Sequence, residues 1–226
     1  MMKDETGIIE QHLQIPAGDV LLHADLRMPS AAQGLVLFAH GSGSSRHSSR
    51  NRYVAQVLNE AGLATLLADL LTEEEEVIDE QTRHLRFDIG LLADRVVGMT
   101  DWVAASPLTR GLPLGYFGAS TGAGAALVAA AHRPDDVRAV VSRGGRPDLA
   151  GTALPRVKAA TLLIVGGADE EVIELNERAL ALLACERRLV TVPGATHLFP
   201  EPGTLEQVAM LARNFFLAHL SPRPRG

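Results

Sequence analysis

Short apolar runs of β type alternate with longer stretches of helical spacing along nearly the whole chain. That alternation predicts a mostly parallel sheet covered by helices on both faces. Residues 10–15 and 20–28 come first and read as two antiparallel strands joined by Pro16-Ala17-Gly18-Asp19. Residues 34–39 (GLVLFA) then read as a buried strand, 50–61 as a helix stopped by Gly62, and 64–68 as the next strand. The exit from that strand carries Thr72 and the acidic run 73–76, read as a solvated surface loop within the segment 70–86. A long helix is expected over 87–105, where Leu91, Leu92, Val96, Val97, Met99, Trp102 and Val103 recur at helical spacing, with Trp102 in the core.

Strand 112–117 leads into a small-residue helix that runs to Ala131. Three further strands are expected at 137–141, 161–165 and 188–192, with helices over 171–184 and 203–220. There is no internal repeat, and the one low-complexity stretch is the tail 221–226, expected to be frayed. The reading is therefore one α/β domain over residues 1–220 followed by a short flexible tail.

Composition supports this without changing it. With 226 residues, 46% of them apolar, the chain can bury a full core without a metal or disulfide staple. The single cysteine, Cys185, fits a reducing compartment and reads as a small buried hydrophobe at the end of a helix. The net charge of −6, with only two lysines, gives no basic patch for nucleic acid. The start of the chain carries no export pattern, and the longest apolar run, 123–131, is too short to cross a bilayer. A soluble, cytoplasmic protein acting on a small molecule is the expectation, without nucleic-acid or membrane partners and with no oligomeric state assigned.

The chemistry concentrates in a few loops that follow strands. Gly118-Ala119-Ser120-Thr121-Gly122 matches the G-x-S-x-G nucleophile elbow, with an apolar strand before it and an Ala-rich helix after it. Flanking glycines let backbone come close to a serine lifted above a sheet. Of the eight histidines, only His197 lies late in the chain in a loop after a strand, within Pro193-Gly194-Ala195-Thr196-His197. Asp169, after Gly166-Gly167-Ala168, is the expected acid, although it could instead cap the following helix; Glu170 and Glu171 are its neighbours and competitors. Ser120 is then the expected nucleophile, His197 its base and Asp169 the orienting acid. The N–H groups of Ser42, in His40-Gly41-Ser42-Gly43, and of Thr121 are expected to form the oxyanion hole, with His40 bracing its loop. Arg143, at the end of strand 137–141, is a candidate grip for an acidic group on the substrate; the alternative is a structural arginine paired with a carboxylate. No cofactor or metal is implied, and the acids at 73–76 lack an EF-hand pattern.

Two other readings use the same residues. Gly118, Gly122 and Gly124 also resemble the glycine-rich turn of short-chain dehydrogenases, with Arg143 placed for an NADP 2′-phosphate. Neither Tyr53 nor Tyr116 has the lysine four residues on that such a family uses, and the turn falls mid-chain. A catalytically silent scaffold with the same fold is the remaining alternative.

Taken together, HGSG at 40–43, GASTG at 118–122, GGAD at 166–169 and GATH at 194–197 resemble the α/β-hydrolase superfamily, and within it the small dienelactone hydrolase-like proteins. The resemblance spans nearly the whole chain, and the order Ser, Asp, His matches the superfamily. It implies a single-domain α/β-hydrolase fold and hydrolysis of an ester-like bond through an acyl-enzyme. One departure is that dienelactone hydrolases carry a cysteine at the elbow where this chain has Ser120, so dienelactone itself does not carry over as substrate. Only 18 residues, 142–159, separate the strands between which related hydrolases insert a cap, so no full cap domain fits.

Overall fold

The computed structural model describes residues 8–220 and the backbone of Met2–Lys3. Those two residues form β1, the outermost strand of the sheet, followed by β2 (Ile9–Ala17) and β3 (Val20–Met28). β2 runs antiparallel to both β1 and β3, and β3 is antiparallel to β5 (Ala64–Ala68). From β5 onward the sheet is parallel: β5, β4 (Leu35–Ala39), β6 (Leu114–Ala119), β7 (Val137–Arg143), β8 (Ala160–Gly166) and β9 (Arg187–Val192). The two opening strands and all six parallel ones fall where the hydrophobic runs predict them. The tail reading concerns 221–226, which lie outside the described residues.

β4, β5, β6 and β8 are buried at every position because both sheet faces are covered, and β4 is apolar throughout. In β4, Leu35, Leu37 and Ala39 enter one core while Val36 and Phe38 enter the other, the two-residue period of a pleated strand. On the first face, α3 (Ile89–Ala105) and α4 (Thr121–His132) contribute Leu92, Val96, Met99 and Leu127, with Trp102 packed at the margin. On the second, α1 (Ser49–Glu60) and α6 (Thr204–Leu220) contribute Val54, Leu58, Val208 and Phe216. A helix α5 (Glu170–Leu182) fills the β8–β9 crossover.

The segment 73–76 corrects the sequence reading. Instead of a solvated loop, these acids form the first turn of α2 (Glu73–Thr82). Thr72 and Glu75 make a reciprocal capping box, with Glu75 N donating to Thr72 Oγ1 at 3.2 Å and Thr72 N to Glu75 Oε2 at 2.8 Å. Acidic side chains suit the positive end of a helix, which is why four in a row are tolerated there. The same segment is fastened by Glu75 to Arg95 at 2.7 Å and by a partly buried ion pair between Asp79 and Arg86.

Cys185 also departs from expectation. It lies beyond the end of α5, half-buried, against the first core, with Sγ 3.7 Å from Thr161 Oγ1. Residues 147–156, between β7 and β8, are short 3-10 turns packed against α4 and α5, and among the described residues there is no cap domain. Among the described residues no helix is long and apolar enough to cross a membrane.

Candidate active site

Ser120 sits at the turn between β6 and α4 with φ 50° and ψ −123°, a region that costs a non-glycine residue about 1–3 kcal/mol. The glycines around it are there for steric reasons. A Cβ at Gly122 would lie 2.3 Å from the carbonyl oxygens of Ala39 and His40, and one at Gly118 would lie 2.4 Å from Ala123 Cα. The strained turn is held by backbone bonds: Ser120 O accepts from Ala123 N at 3.1 Å and from Arg146 N at 3.0 Å.

Two loops at the same end of the sheet bring His197 and Asp169 together. Gly167 N donates to Val192 O at 2.8 Å and Ala168 N to Ala195 O at 2.9 Å, tying the exit of β8 to that of β9. Thr196 Oγ1 donates to Glu201 at 2.6 Å, and this bond holds the Glu201 carboxyl below its ordinary pKa. Phe199 plugs the second core just beyond His197. In this frame His197 Nδ1 donates to Asp169 Oδ2 at 2.7 Å. That bond leaves Nε2 as the other imidazole nitrogen, without a hydrogen-bond partner among the described residues. Glu170 and Glu171 are both exposed on α5 and take no part.

The loop after β4 closes the other side. Gly41 packs so tightly on the elbow that a Cβ there would lie 3.0 Å from Ser120 Cβ. His40 is buried and used structurally: Nδ1 donates to Gly41 O at 2.9 Å, while Nε2 accepts from Leu70 N at 3.1 Å. Burial pushes its pKa below the ordinary value, against the opposing effect of the Gly41 bond. Ser42, Ser120 and His197 line one cleft of about 200 Å³, with Thr121 buried at the start of α4 beside it. The N–H groups of Ser42 and Thr121 join none of the loop backbone bonds, as oxyanion donors must not.

Arg143 lines the same cleft, buried, with Nη2 donating to Asn51 Oδ1 at 3.1 Å and Nε without a partner. Burial, and then the neighbouring Arg50, push its pKa down to about 10. No carboxylate pairs with it among the described residues, so the structural ion pair considered from sequence is not what holds it. Among the described residues no cluster of histidines, cysteines or acids is arranged to hold a metal ion.

This geometry has close counterparts. A dienelactone hydrolase from Anabaena variabilis superposes with a TM-score of 0.93 at 63% identity, over 94% of this chain and 99% of that one. The chain belongs to the dienelactone hydrolase-like α/β hydrolases. Est1E from Butyrivibrio proteoclasticus shares the fold at 19% identity and a TM-score of 0.76, over 92% of this chain and 98% of its own. A Mycobacterium tuberculosis protein named "Putative phosphoribosyl transferase" is 60% identical over 218 residues, 96% of this chain but 48% of its own length. The chain thus spans about half the length of the curated relatives it matches. No protein-family model matches it.

Membership in the dienelactone hydrolase-like group disposes of the dinucleotide reading, and packing gives the physical reason. The space at Gly122 is filled by the β4 exit, Gly124 lies against the Arg146 carbonyl and Leu149, and Tyr116 is buried with its hydroxyl on Thr100. Each residue expected from sequence at the hydrolase site lies around the elbow. What sequence reasoning missed is the start of α1: Ser48, Arg50 and Asn51 also line the cleft. The signal was available in the run Ser42-Gly43-Ser44-Ser45-Arg46-His47-Ser48-Ser49-Arg50, which follows a strand whose exit faces the elbow.

Proposed function

We propose that this chain is a serine hydrolase acting on the carboxylic ester, thioester or lactone bond of a compact substrate. In this reading neutral His197 takes the Ser120 proton through Nε2 as Oγ attacks the acyl carbonyl. The N–H groups of Ser42 and Thr121 receive the oxyanion, and the leaving alkoxide or thiolate takes the proton back from His197. Water, deprotonated by the same imidazole, then cleaves the acyl-enzyme and restores Ser120. Asp169 keeps the Nδ1–H tautomer and stabilises the imidazolium without taking the proton.

The observation that carries this reading is the Asp169–His197 bond in the same cleft as a serine held at positive φ. Strain of that kind persists only where surrounding structure enforces it, and it collects at functional sites. Arg143 belongs to the reading as a contact for an acidic group on the substrate. The phosphoribosyl transferase name attaches to proteins of about twice this length, and the cleft supports acyl chemistry in the matched half. The lone cysteine supports a reducing compartment such as the cytoplasm.

The test is a fluorophosphonate probe together with p-nitrophenyl butyrate. The probe is expected to label Ser120, and Ser120→Ala to abolish both labelling and turnover. Intact turnover in the alanine variant would remove Ser120 from the chemistry, and no turnover by the unmodified chain would favour the silent scaffold.

A further inference from the structure

The bond-making steps at Ser120 need neither of the two guanidinium groups that line the cleft, and the reading above gives Arg143 a substrate contact but Arg50 no role. Arg143 is 5% exposed, gives one hydrogen bond to Asn51 and keeps Nε buried without a partner. Arg50, in the first turn of α1, lines the same cleft, and its Nε is likewise buried and unpartnered. Neither arginine has an ion-pair partner among the described residues, in a chain with 27 acids against 21 lysines and arginines. The contrast within the molecule lies in ion pairing: Nε is also buried without a hydrogen bond on Arg27, Arg46 and Arg95, but each of those arginines has a carboxylate partner. A larger groove of about 320 Å³ across β2, β3 and α1 also holds arginines, but there Arg27 meets Glu10 at 3.0 Å and Arg52 meets Asp25 at 3.6 Å.

The rest of the lining adds positive potential and donors but no anion. Among the described residues no carboxylate lines the cleft, and the first turn of α1 contains no acid, so the positive end of that helix is uncompensated. Ser44 adds a hydroxyl at the same wall. Two guanidinium groups in a partly dry pocket repel each other until an anion sits between them. A carboxylate offers one charge and two oxygens, enough for one guanidinium fork. A phosphate-type group offers two charges and three oxygens, enough for both. Its distance from the chemistry is short, since Arg143 is the register partner of Ala119, the residue before the nucleophile.

We infer that the cleft accepts an ester whose acyl part carries a phosphate-type dianion, held between Arg50 and Arg143 at the N-terminal turn of α1. This rests on the serine-hydrolase reading for the reaction but not for the binding. The acid group must stand only a few bonds from the carbonyl that Ser120 attacks.

The experiment compares three matched esters, p-nitrophenyl 3-phosphonopropanoate, p-nitrophenyl hemisuccinate and p-nitrophenyl butyrate, at pH 8. The phosphonate ester is expected to have the highest kcat/KM, mainly through KM. Arg50→Gln and Arg143→Gln are each expected to lower the phosphonate-to-butyrate ratio by about tenfold or more, the size of one lost charge-assisted contact. Arg50 is only partly buried, so its variant remains informative if Arg143→Gln does not fold. In parallel, inorganic phosphate is titrated calorimetrically into Ser120→Ala protein, where it should bind saturably and more weakly after Arg50→Gln. A hemisuccinate or butyrate ester preferred over the phosphonate, or a ratio unmoved by Arg50→Gln, overturns the inference and leaves the Ser120 chemistry standing. Arg50-dependent phosphate binding with no ester turned over removes the hydrolase reading and leaves the anion site.

Discussion

Asp169 occupies the N-cap position of α5, yet its carboxylate bonds His197 Nδ1 at 2.7 Å and none of the helix N–H groups. One carboxylate faced two uses, and the loop tied by Ala168 N to Ala195 O delivers it to the imidazole. Asp169→Asn is therefore expected to leave the melting temperature nearly unchanged, because no cap bond is lost. Turnover should fall by about 10⁴, as when a triad acid is replaced by its amide. Glu170→Gln and Glu171→Gln should change kcat little. Steady-state kinetics on p-nitrophenyl butyrate check this, and a large loss in Glu171→Gln would point to the wrong acid.

Ser120 carries its own energetic signature. Its φ of 50° suits glycine, so Ser120→Gly should relieve strain while removing the nucleophile. We expect the melting temperature to rise by about 2–6 °C, given roughly 1–2 kcal/mol of net relief in a domain of this size. Activity and fluorophosphonate labelling should both vanish. A lower melting temperature in the glycine variant would mean that the elbow is not strained at this residue.

His40 should make stability depend on pH. Its pKa in the folded state is below 6.5, so between those two values the unfolded chain binds the extra proton. Its contribution is present in full above pH 6.5, is lost as pH falls below that value, and levels off below the folded pKa. Thermal unfolding at pH 7.5 and pH 5 should show a smaller difference for His40→Gln than for the unmodified chain. An unchanged difference would mean that other groups account for the acid sensitivity.

Acyl-chain preference follows from the size of the cleft. At about 200 Å³ it is below the roughly 300 Å³ at which sites for drug-sized ligands begin. p-Nitrophenyl butyrate should be turned over faster than the palmitate ester, with no jump at a lipid–water interface. A preference for chains beyond about C12 would require α2 to move as a lid, against its ion pairs to Arg95 and Arg86.

The sequence by itself determined the sheet, the helices of the two layers and the elbow, because each leaves a local trace. Leu35 to Ala39 read as a buried strand since both faces are covered, and Gly118 and Gly122 flank Ser120 since a Cβ at either would strike backbone. Even α2 had its trace in Thr72 and Glu75, obscured by four consecutive acids that looked like a solvated loop. Whether Asp169 served the helix or the histidine was open in the sequence, because both uses place an acid at the same position. Only the tertiary structure decided it, by tying the β8 and β9 exits together. The same holds for Arg50 and Arg143, 93 positions apart in number, which become neighbours only when α1 and β7 meet beside the elbow. That no acid among the described residues meets either of them is a property of the packed cleft, since charge pairing between distant segments is set by the fold and not by spacing along the chain.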